Sequence, residues 1–142
     1  MQLKYKRLNP DAISPRYATD GAACFDIAAL HDAVVRNADP AIIATGLSFE
    51  IPAGHVMLVY SRSGHGFKHG VRLANCVGVI DSDYRGELMV KLTADDRRAM
   101  NVYAGDRIAQ AMILPLPSVT LVEAKELSET ARGTGGLGST GR

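Results

Sequence analysis

The sequence predicts an all-β domain with at most one short helix, because most of its apolar segments have the length and period of strands. Leu88, Val90 and Leu92 fall on one face of a segment, which is the two-residue period of a half-buried strand. Residues 56–60 are apolar throughout, as expected of a central strand covered on both faces. Turn-forming residues separate these segments, and only residues 61–70 favour a helix.

Length and composition indicate a single soluble domain. The chain has 142 residues, of which 46% are hydrophobic and 22% are charged. A formal net charge of +1 disfavours a nucleic-acid polymer as partner, whereas a small anion held by a few arginines remains compatible. No apolar run is long enough for a membrane, and the N-terminus carries no apolar targeting segment. Cys24 and Cys76 form no CxxC pattern, so we expect reduced thiols and a cytoplasmic protein, or a nuclear one in a eukaryotic host.

Short strands and turns follow one another in the N-terminal third. Residues 3–16 predict a short strand and then a loop, since two X-Pro pairs interrupt them. An Asp-Gly turn at residues 20–21 leads into a predicted strand that carries Asp26. An unpaired charge is costly to bury, so Asp26 needs either a partner or water, which an edge strand would provide. Residues 47–51 alternate as a further strand and residues 52–54 predict a turn.

The predicted helix at residues 61–70 follows the central strand. A serine at its start can cap it, which would aim free backbone N–H groups outward. Glycines, the last of them Gly70, keep it short. His65 and His69 are spaced as a helical metal pair would be, but no third ligand follows at a useful distance. Solvent-facing histidines are therefore the preferred interpretation.

The C-terminal third predicts two more strands. Residues 108–114 form an apolar segment with one amide, Gln110. Because a buried, unpaired amide costs about 1–3 kcal/mol, Gln110 either bonds neighbouring backbone or contacts a ligand. Residues 119–122 predict a last strand, residues 123–131 a polar connector, and the charged segment 95–98 a solvated turn.

The segment 78–86 reads Gly-Val-Ile-Asp-Ser-Asp-Tyr-Arg-Gly between two predicted strands. Its polar centre, closed by Gly86, predicts a β-hairpin. The tip carries Asp81, Asp83, Tyr84 and an arginine, which are more functional groups than a turn requires. Aspartate also favours turns by itself, so these residues alone leave a purely structural role open.

The last eleven residues, 132–142, read Arg-Gly-Thr-Gly-Gly-Leu-Gly-Ser-Thr-Gly-Arg. So much glycine cannot pack a core, but bare N–H groups, hydroxyls and Arg132 suit phosphate. A frayed linker would share the glycine content without needing the arginine. We therefore expect a β domain at residues 1–131 and a flexible phosphate-binding arm at residues 132–142.

Residues 80–86 and 132–141 resemble the corresponding motifs of the trimeric dUTPase family. Three further motifs, around Asp26, Arg62 and Gln110, follow in the family's order and spacing, so the resemblance spans nearly the whole chain. It implies a jelly-roll-like (β-clip) subunit that forms a homotrimer with exchanged C-terminal arms. It also implies hydrolysis of dUTP to dUMP and pyrophosphate, which limits uracil incorporation into DNA and supplies dUMP for dTMP synthesis.

The resemblance implies a role for each motif residue. Asp81 would orient and activate the attacking water, and Asp26 would hold Mg²⁺ through water. Phosphate contacts would come from Arg62, Ser63, Gly64, Gln110, Arg132, Gly138, Ser139 and Thr140. The uracil would meet Asn75 and backbone groups near Gly78 and Met89, the deoxyribose would meet Tyr84, and Leu137 would cover the base when the arm closes.

Two positions depart from the family's usual pattern: Cys24 replaces a glycine in the first motif, and Leu137 replaces an aromatic ring in the last. Two other functions are compatible with the same fold. One is a regulatory, nucleotide-sensing binding protein, which would be expected to lack Asp81 or the arm. The other is a dCTP deaminase-like enzyme, against which the joint presence of Asp81 and the glycine-rich arm argues.

Overall fold

The computed structural model describes residues 1–37, 39–95 and 99–141, and they form a mostly-β domain with one short helix. Its first seven strands are β1 (Lys4–Arg7), β2 (Arg16–Tyr17), β3 (Phe25–Ala28), β4 (Ala33–Val35), β5 (Ala41–Ala44), β6 (Leu47–Glu50) and β7 (His55–Tyr60). The helix α1 (Ser63–His69) follows, and then β8 (Val71–Leu73), β9 (Val77–Ile80), β10 (Met89–Ala94), β11 (Met100–Val102) and β12 (Arg107–Pro115). The prediction of an all-β domain with at most one short helix is confirmed to that extent: the described residues form strands and one short helix. The charged segment predicted as a turn extends over residues 96–98, which lie outside the described residues.

The described strands form four antiparallel sheets. The largest has the strand order β2-β3-β12-β7-β9, and a second has the order β5-β10-β8. Two-stranded sheets pair β1 with β6 and β4 with β11. The apolar strand β7 lies inside the largest sheet, between β12 and β9, as its sequence predicts.

One core of buried aliphatic and aromatic side chains joins these sheets. The predicted alternation is confirmed around β10, where Leu88, Val90 and Leu92 are buried and Met89 is exposed. The alternation predicted for residues 47–51 is only partial, because Ser48 is buried beside its apolar neighbours.

The predicted hairpin across residues 78–86 is wrong. β9 pairs with β7, whereas β10 pairs with β5 and β8, so the two flanking strands belong to different sheets. The segment between them, residues 81–88, is longer than the two to five residues typical of hairpin loops. We call it the β9–β10 loop; it connects the five-stranded sheet to the three-stranded one.

The strand predicted at residues 119–122 is also absent from the described structure, where residues 116–141 contain no strand. A strand needs a neighbour for its hydrogen bonds, and this segment has none within the described chain. Its side chains are left in solvent, with Leu121 93% and Val122 80% exposed.

The short helix is confirmed, but its predicted serine cap is not. Arg62 is the N-cap residue and makes no side-chain capping bond. The hydroxyl of Ser61 instead accepts the N–H of Leu73 at 2.9 Å. Gly70 ends the helix in the left-handed region (φ 62°), which glycine adopts without steric cost. α1 is far shorter than a membrane-spanning helix, and the described residues contain no helix that could serve as one.

Candidate active site

Three of the sequence motifs meet on one surface of the largest sheet. Asp26 of β3 is paired with Gln110 of β12, which is paired in turn with Tyr60 at the end of β7. The chain continues from Tyr60 into Arg62, so this register places Asp26, Gln110 and Arg62 side by side. Gln110 Nε2 donates to the Ser61 carbonyl at 3.1 Å, which satisfies the amide with backbone.

Asp26 is held by two arginines. Its side chain is 13% exposed, Oδ2 accepts from Arg107 Nη1 at 3.0 Å, and Oδ1 lies 3.7 Å from Arg62 Nε. The expected partner for this half-buried charge is therefore present. Sequence reasoning missed Arg107, whose nearness to Asp26 follows only from the pairing of β12 with β3.

His65 supports this cluster and does not simply face solvent. Its Nε2 lies 2.8 Å from the Arg107 carbonyl and 3.2 Å from Arg62 Nη1. Arg62 Nη1 donates to the same carbonyl at 2.9 Å. Among the residues that the structure describes, no group of three His, Cys, Asp or Glu side chains could hold a metal. The solvent-facing interpretation is thus corrected for the half-buried His65, whereas His69 is exposed.

A cavity of about 330 Å³ opens beside the cluster. Its lining includes Arg62, Ser63, Gln110 and the 93%-exposed ring of Phe67. An arginine, a hydroxyl and an amide can all donate hydrogen bonds, and none of the described residues that line the cavity is a carboxylate. This arrangement suits an anion.

A second cavity, of about 440 Å³, lies between the two main sheets. One wall is β9, an edge strand, and the other is the start of β10, whose partner β8 joins only at Leu92. Both walls therefore have backbone groups without a strand neighbour. Asn75, Gly78 and Met89 line this cavity together with apolar side chains. A Cβ at Gly78 would lie 3.2 Å from Val59 Cβ, so a larger residue would crowd Val59 at this wall of the cavity.

The β9–β10 loop borders this cavity. Asp81 and Tyr84 line an adjoining hollow of about 250 Å³. The Tyr84 hydroxyl donates to the Glu87 carbonyl at 2.9 Å, and the ring lies so close to Gly86 that a Cβ there would be 2.6 Å from Cζ. Arg85 Nη1 closes the tip by donating to the carbonyls of Ser82 and Tyr84 at 2.7 and 2.9 Å. The Asp81 carboxylate is exposed on this loop.

Asp81 and Arg62 lie at opposite ends of the β7–β9 pair. Val77 is paired with Tyr60 and Ile80 with Met57. Arg62 follows Tyr60 by two residues and Asp81 follows Ile80 by one, which separates them by about six residue steps, or roughly 20 Å at the usual rise of a strand. The structure therefore brings the predicted site residues together in two groups and not in one.

The described part of the C-terminal arm, residues 132–141, joins neither group. Arg132 donates from Nε to the Gly135 carbonyl at 3.0 Å, a contact within the arm. The arm's remaining predicted ligands are all exposed, with Leu137 fully so; they are Leu137, Gly138, Ser139 and Thr140.

The cavity between β9 and β10 and the separate cavity lined by Arg62, here called the cationic cavity, lie on the same mostly-β domain. A family model described as dUTPase matches residues 11–141. The deoxyuridine 5'-triphosphate nucleotidohydrolase of Nautilia profundicola is 44% identical over 142 residues, which is 100% of both chains. That of Hydrogenobaculum sp. is 44% identical and covers 99% of each. A Staphylococcus bacteriophage 80alpha dUTPase solved with dUPNHPP matches with a TM-score of 0.88 at 27% identity, over 99% of each chain. The chain belongs to the dUTPase family.

Proposed function

We propose that this protein is a dUTP diphosphatase, which hydrolyses dUTP to dUMP and pyrophosphate. One observation carries the proposal beyond family membership. The cavity between β9 and β10 has the size and backbone edges that a pyrimidine needs, and Asp81 follows β9 directly. A base bound there would bring its phosphates toward a loop that carries a carboxylate.

Asp81 is the general base in this proposal. Hydrolysis of an α–β phosphoanhydride requires a water that attacks the α phosphorus and loses a proton. A carboxylate accepts that proton and orients the water, and its loss typically costs about 10²–10⁴-fold in rate. Asp81 is exposed at the border of the base cavity, where it can reach such a water.

The phosphates bind at the cationic cavity. Arg62 would pair with phosphate oxygens bidentately, and Ser63, the N–H of Gly64 and Gln110 would donate further hydrogen bonds. When the C-terminal arm closes, Arg132, Gly138, Ser139 and Thr140 would donate further hydrogen bonds to the phosphates. These groups offset charge that develops on the phosphate oxygens in the transition state.

The residues present fit Mg²⁺ that is bound mainly by substrate. Asp26 is a lone carboxylate already paired with Arg107, and the described residues contain no cluster of metal ligands. A hard cation held by triphosphate oxygens and water needs no more from the protein than one carboxylate on a water ligand, which Asp26 would supply. When bound, Mg²⁺ would neutralise phosphate charge. Arg107 orients the Asp26 carboxylate for that contact.

Specificity rests on the cavity and its loop. Backbone groups of Gly78 and Met89, with the Asn75 amide, would pair with the uracil edge, and the narrow space would exclude the methyl group of thymine. The Tyr84 ring, fixed by its hydrogen bond to Glu87, would occupy the place of a 2'-hydroxyl.

The active site is completed by other subunits of a homotrimer. Asp81 and Arg62 must act on the same phosphoanhydride, yet about 20 Å separates them along one chain. A neighbouring subunit can bring its Arg62 group to the Asp81 of the first. The segment 119–122 pairs with no strand among the described residues, and the arm, residues 132–142, follows the proposed β domain of residues 1–131. Both segments would be available to a neighbour, which supports exchange of C-terminal arms.

A direct assay tests the activity. Pyrophosphate release is measured with dUTP, dCTP, dTTP and UTP at equal concentrations. We expect rapid release with dUTP and little with the other three. Ammonia release from dCTP would indicate a deaminase, and tight dUTP binding without turnover would indicate a nucleotide-sensing protein.

A further inference from the structure

Two buried hydroxyl groups face the β9–β10 loop. Thr45 (1% exposed) and Ser48 (7% exposed) are polar residues among the otherwise apolar buried side chains. Thr45 Oγ1 donates to the Leu88 carbonyl at 2.6 Å, and Ser48 Oγ donates to the Arg85 carbonyl at 2.7 Å. A buried hydroxyl is costly unless it is hydrogen-bonded. Both of these hydroxyls donate to backbone carbonyls in residues 85–88, the part of the loop that leads into β10.

The turn between β5 and β6 makes further contacts to residues 85–88. Thr45 Oγ1 also accepts the N–H of Leu47 at 3.2 Å, so its proton is directed at Leu88. The N–H of Gly46 donates to Glu87 Oε1 at 2.7 Å, and the N–H of Leu88 donates to the Leu47 carbonyl at 2.7 Å. Residues 45–48 thus make hydrogen bonds to Arg85, Glu87 and Leu88, three of the four residues in the segment 85–88.

These contacts begin where regular pairing stops. The β5–β10 ladder ends at the pair Ala44 and Met89, so no strand partner fixes residues 85–88. Beyond them, the Arg85 guanidinium bonds the Ser82 carbonyl, and the Tyr84 hydroxyl bonds the Glu87 carbonyl. A continuous set of hydrogen bonds therefore runs from the β5–β6 turn to the tip of the loop.

We propose that Thr45 and Ser48 are positioning residues for catalysis and for sugar selection. They fix the position of residues 85–88 of the β9–β10 loop. Through these residues they also fix the positions of Asp81 and Tyr84. The inference rests on the proposed dUTP hydrolysis at this loop, because only then does loop geometry control turnover. Neither hydroxyl touches the substrate in this scheme.

Matched substitutions separate the hydroxyl from the space it fills. Thr45→Val and Ser48→Ala remove the donor with little change in volume, whereas Thr45→Ser keeps it. The measurements are kcat and KM for dUTP and kcat/KM for UTP, with circular dichroism and thermal melting to establish folding. We expect kcat for dUTP to fall about 10-fold or more in the two donor-free variants, in keeping with the loss of one buried hydrogen bond. The preference for dUTP over UTP should fall as well. In Thr45→Ser, both the kcat for dUTP and the dUTP/UTP preference should stay within about threefold of the wild-type values.

Val102→Ala is the control for lost stability. Val102 is buried in β11, which pairs only with β4 among the described strands, so its truncation should destabilise the fold without removing a hydrogen bond to the loop. It should lower the melting temperature and leave the dUTP/UTP preference unchanged. If Thr45→Val does not fold, Ser48→Ala carries the test, because it removes a single oxygen atom.

Two outcomes have distinct meanings. Folded Ser48→Ala and Thr45→Val enzymes with wild-type kcat and wild-type preference would overturn the positioning role and leave dUTP hydrolysis intact. A wild-type protein that does not hydrolyse dUTP would overturn the proposed function, and the positioning role with it.

Discussion

Mixed oligomers test whether the active site is shared between subunits. Asp81→Asn and Arg62→Ala chains, carrying different affinity tags, are coexpressed, and assemblies that contain both are purified through both tags. Each parent should lose at least ~10²-fold in activity, since one lacks the base and the other a phosphate ligand. In a cyclic trimer with both chain types, about one site in three takes Asp81 from one intact chain and Arg62 from another. Mixed trimers should therefore recover about one third of wild-type kcat.

The prediction follows from the roughly 20 Å between Asp81 and Arg62 along the β7–β9 pair. If each site drew both residues from one chain, no mixed trimer would contain an intact site, and activity would stay at the level of the parents. That result would refute the shared-site proposal. Trimers mixed from two differently tagged Asp81→Asn chains serve as the control and should remain inactive.

Three other changes have defined outcomes. Leu137→Phe should lower KM for dUTP and Leu137→Ala should raise it, because base–aromatic stacking is worth about 1–3 kcal/mol and leucine supplies only part of it; an unchanged KM in the alanine variant would show that Leu137 does not cover the base. Deleting residues 131–142 should preserve the oligomer in light scattering but cut turnover severely, since no arm then closes over the phosphates; full activity would contradict this. Burial and the nearby Asp26 charge raise the pKa of the Cys24 thiol, so at pH 8 it has less thiolate than it would at its usual pKa. Iodoacetamide should thus label the exposed Cys76 first, as peptide mass spectrometry can measure, and faster labelling of Cys24 would oppose the argument.

The parts of the fold that depend on local pattern could be predicted from the sequence. Alternating apolar residues predict the buried face around β10, and the apolar run of β7 predicts its interior place in the sheet; both are confirmed. The predicted family is confirmed as well. It could be predicted because its short motifs consist of particular residues that can be read directly from the sequence. Gly70 predicts the end of the helix correctly for the same local reason.

What failed depends on contacts distant in sequence. The strands on either side of residues 81–88 look like a hairpin, but each finds a better partner in a different sheet. The ion pair of Asp26 with Arg107 joins residues whose proximity follows from strand register. The apolar segment 119–122 has strand character, yet it pairs with no strand among the described residues, and a strand forms only where a neighbour shares its hydrogen bonds.

The Asp81→Asn and Asp83→Asn pair tests the central claim, that Asp81 activates water for dUTP hydrolysis. Both aspartates lie exposed on the β9–β10 loop, and the same chemical change is made two residues apart. Pyrophosphate release from dUTP and equilibrium binding of dUTP are measured for each variant. Asp81→Asn should bind dUTP nearly as wild type does but lose about 10²–10⁴-fold in kcat, whereas Asp83→Asn should keep most of its turnover. Near-normal turnover by Asp81→Asn would contradict the claim and leave Asp81 as a residue of the loop.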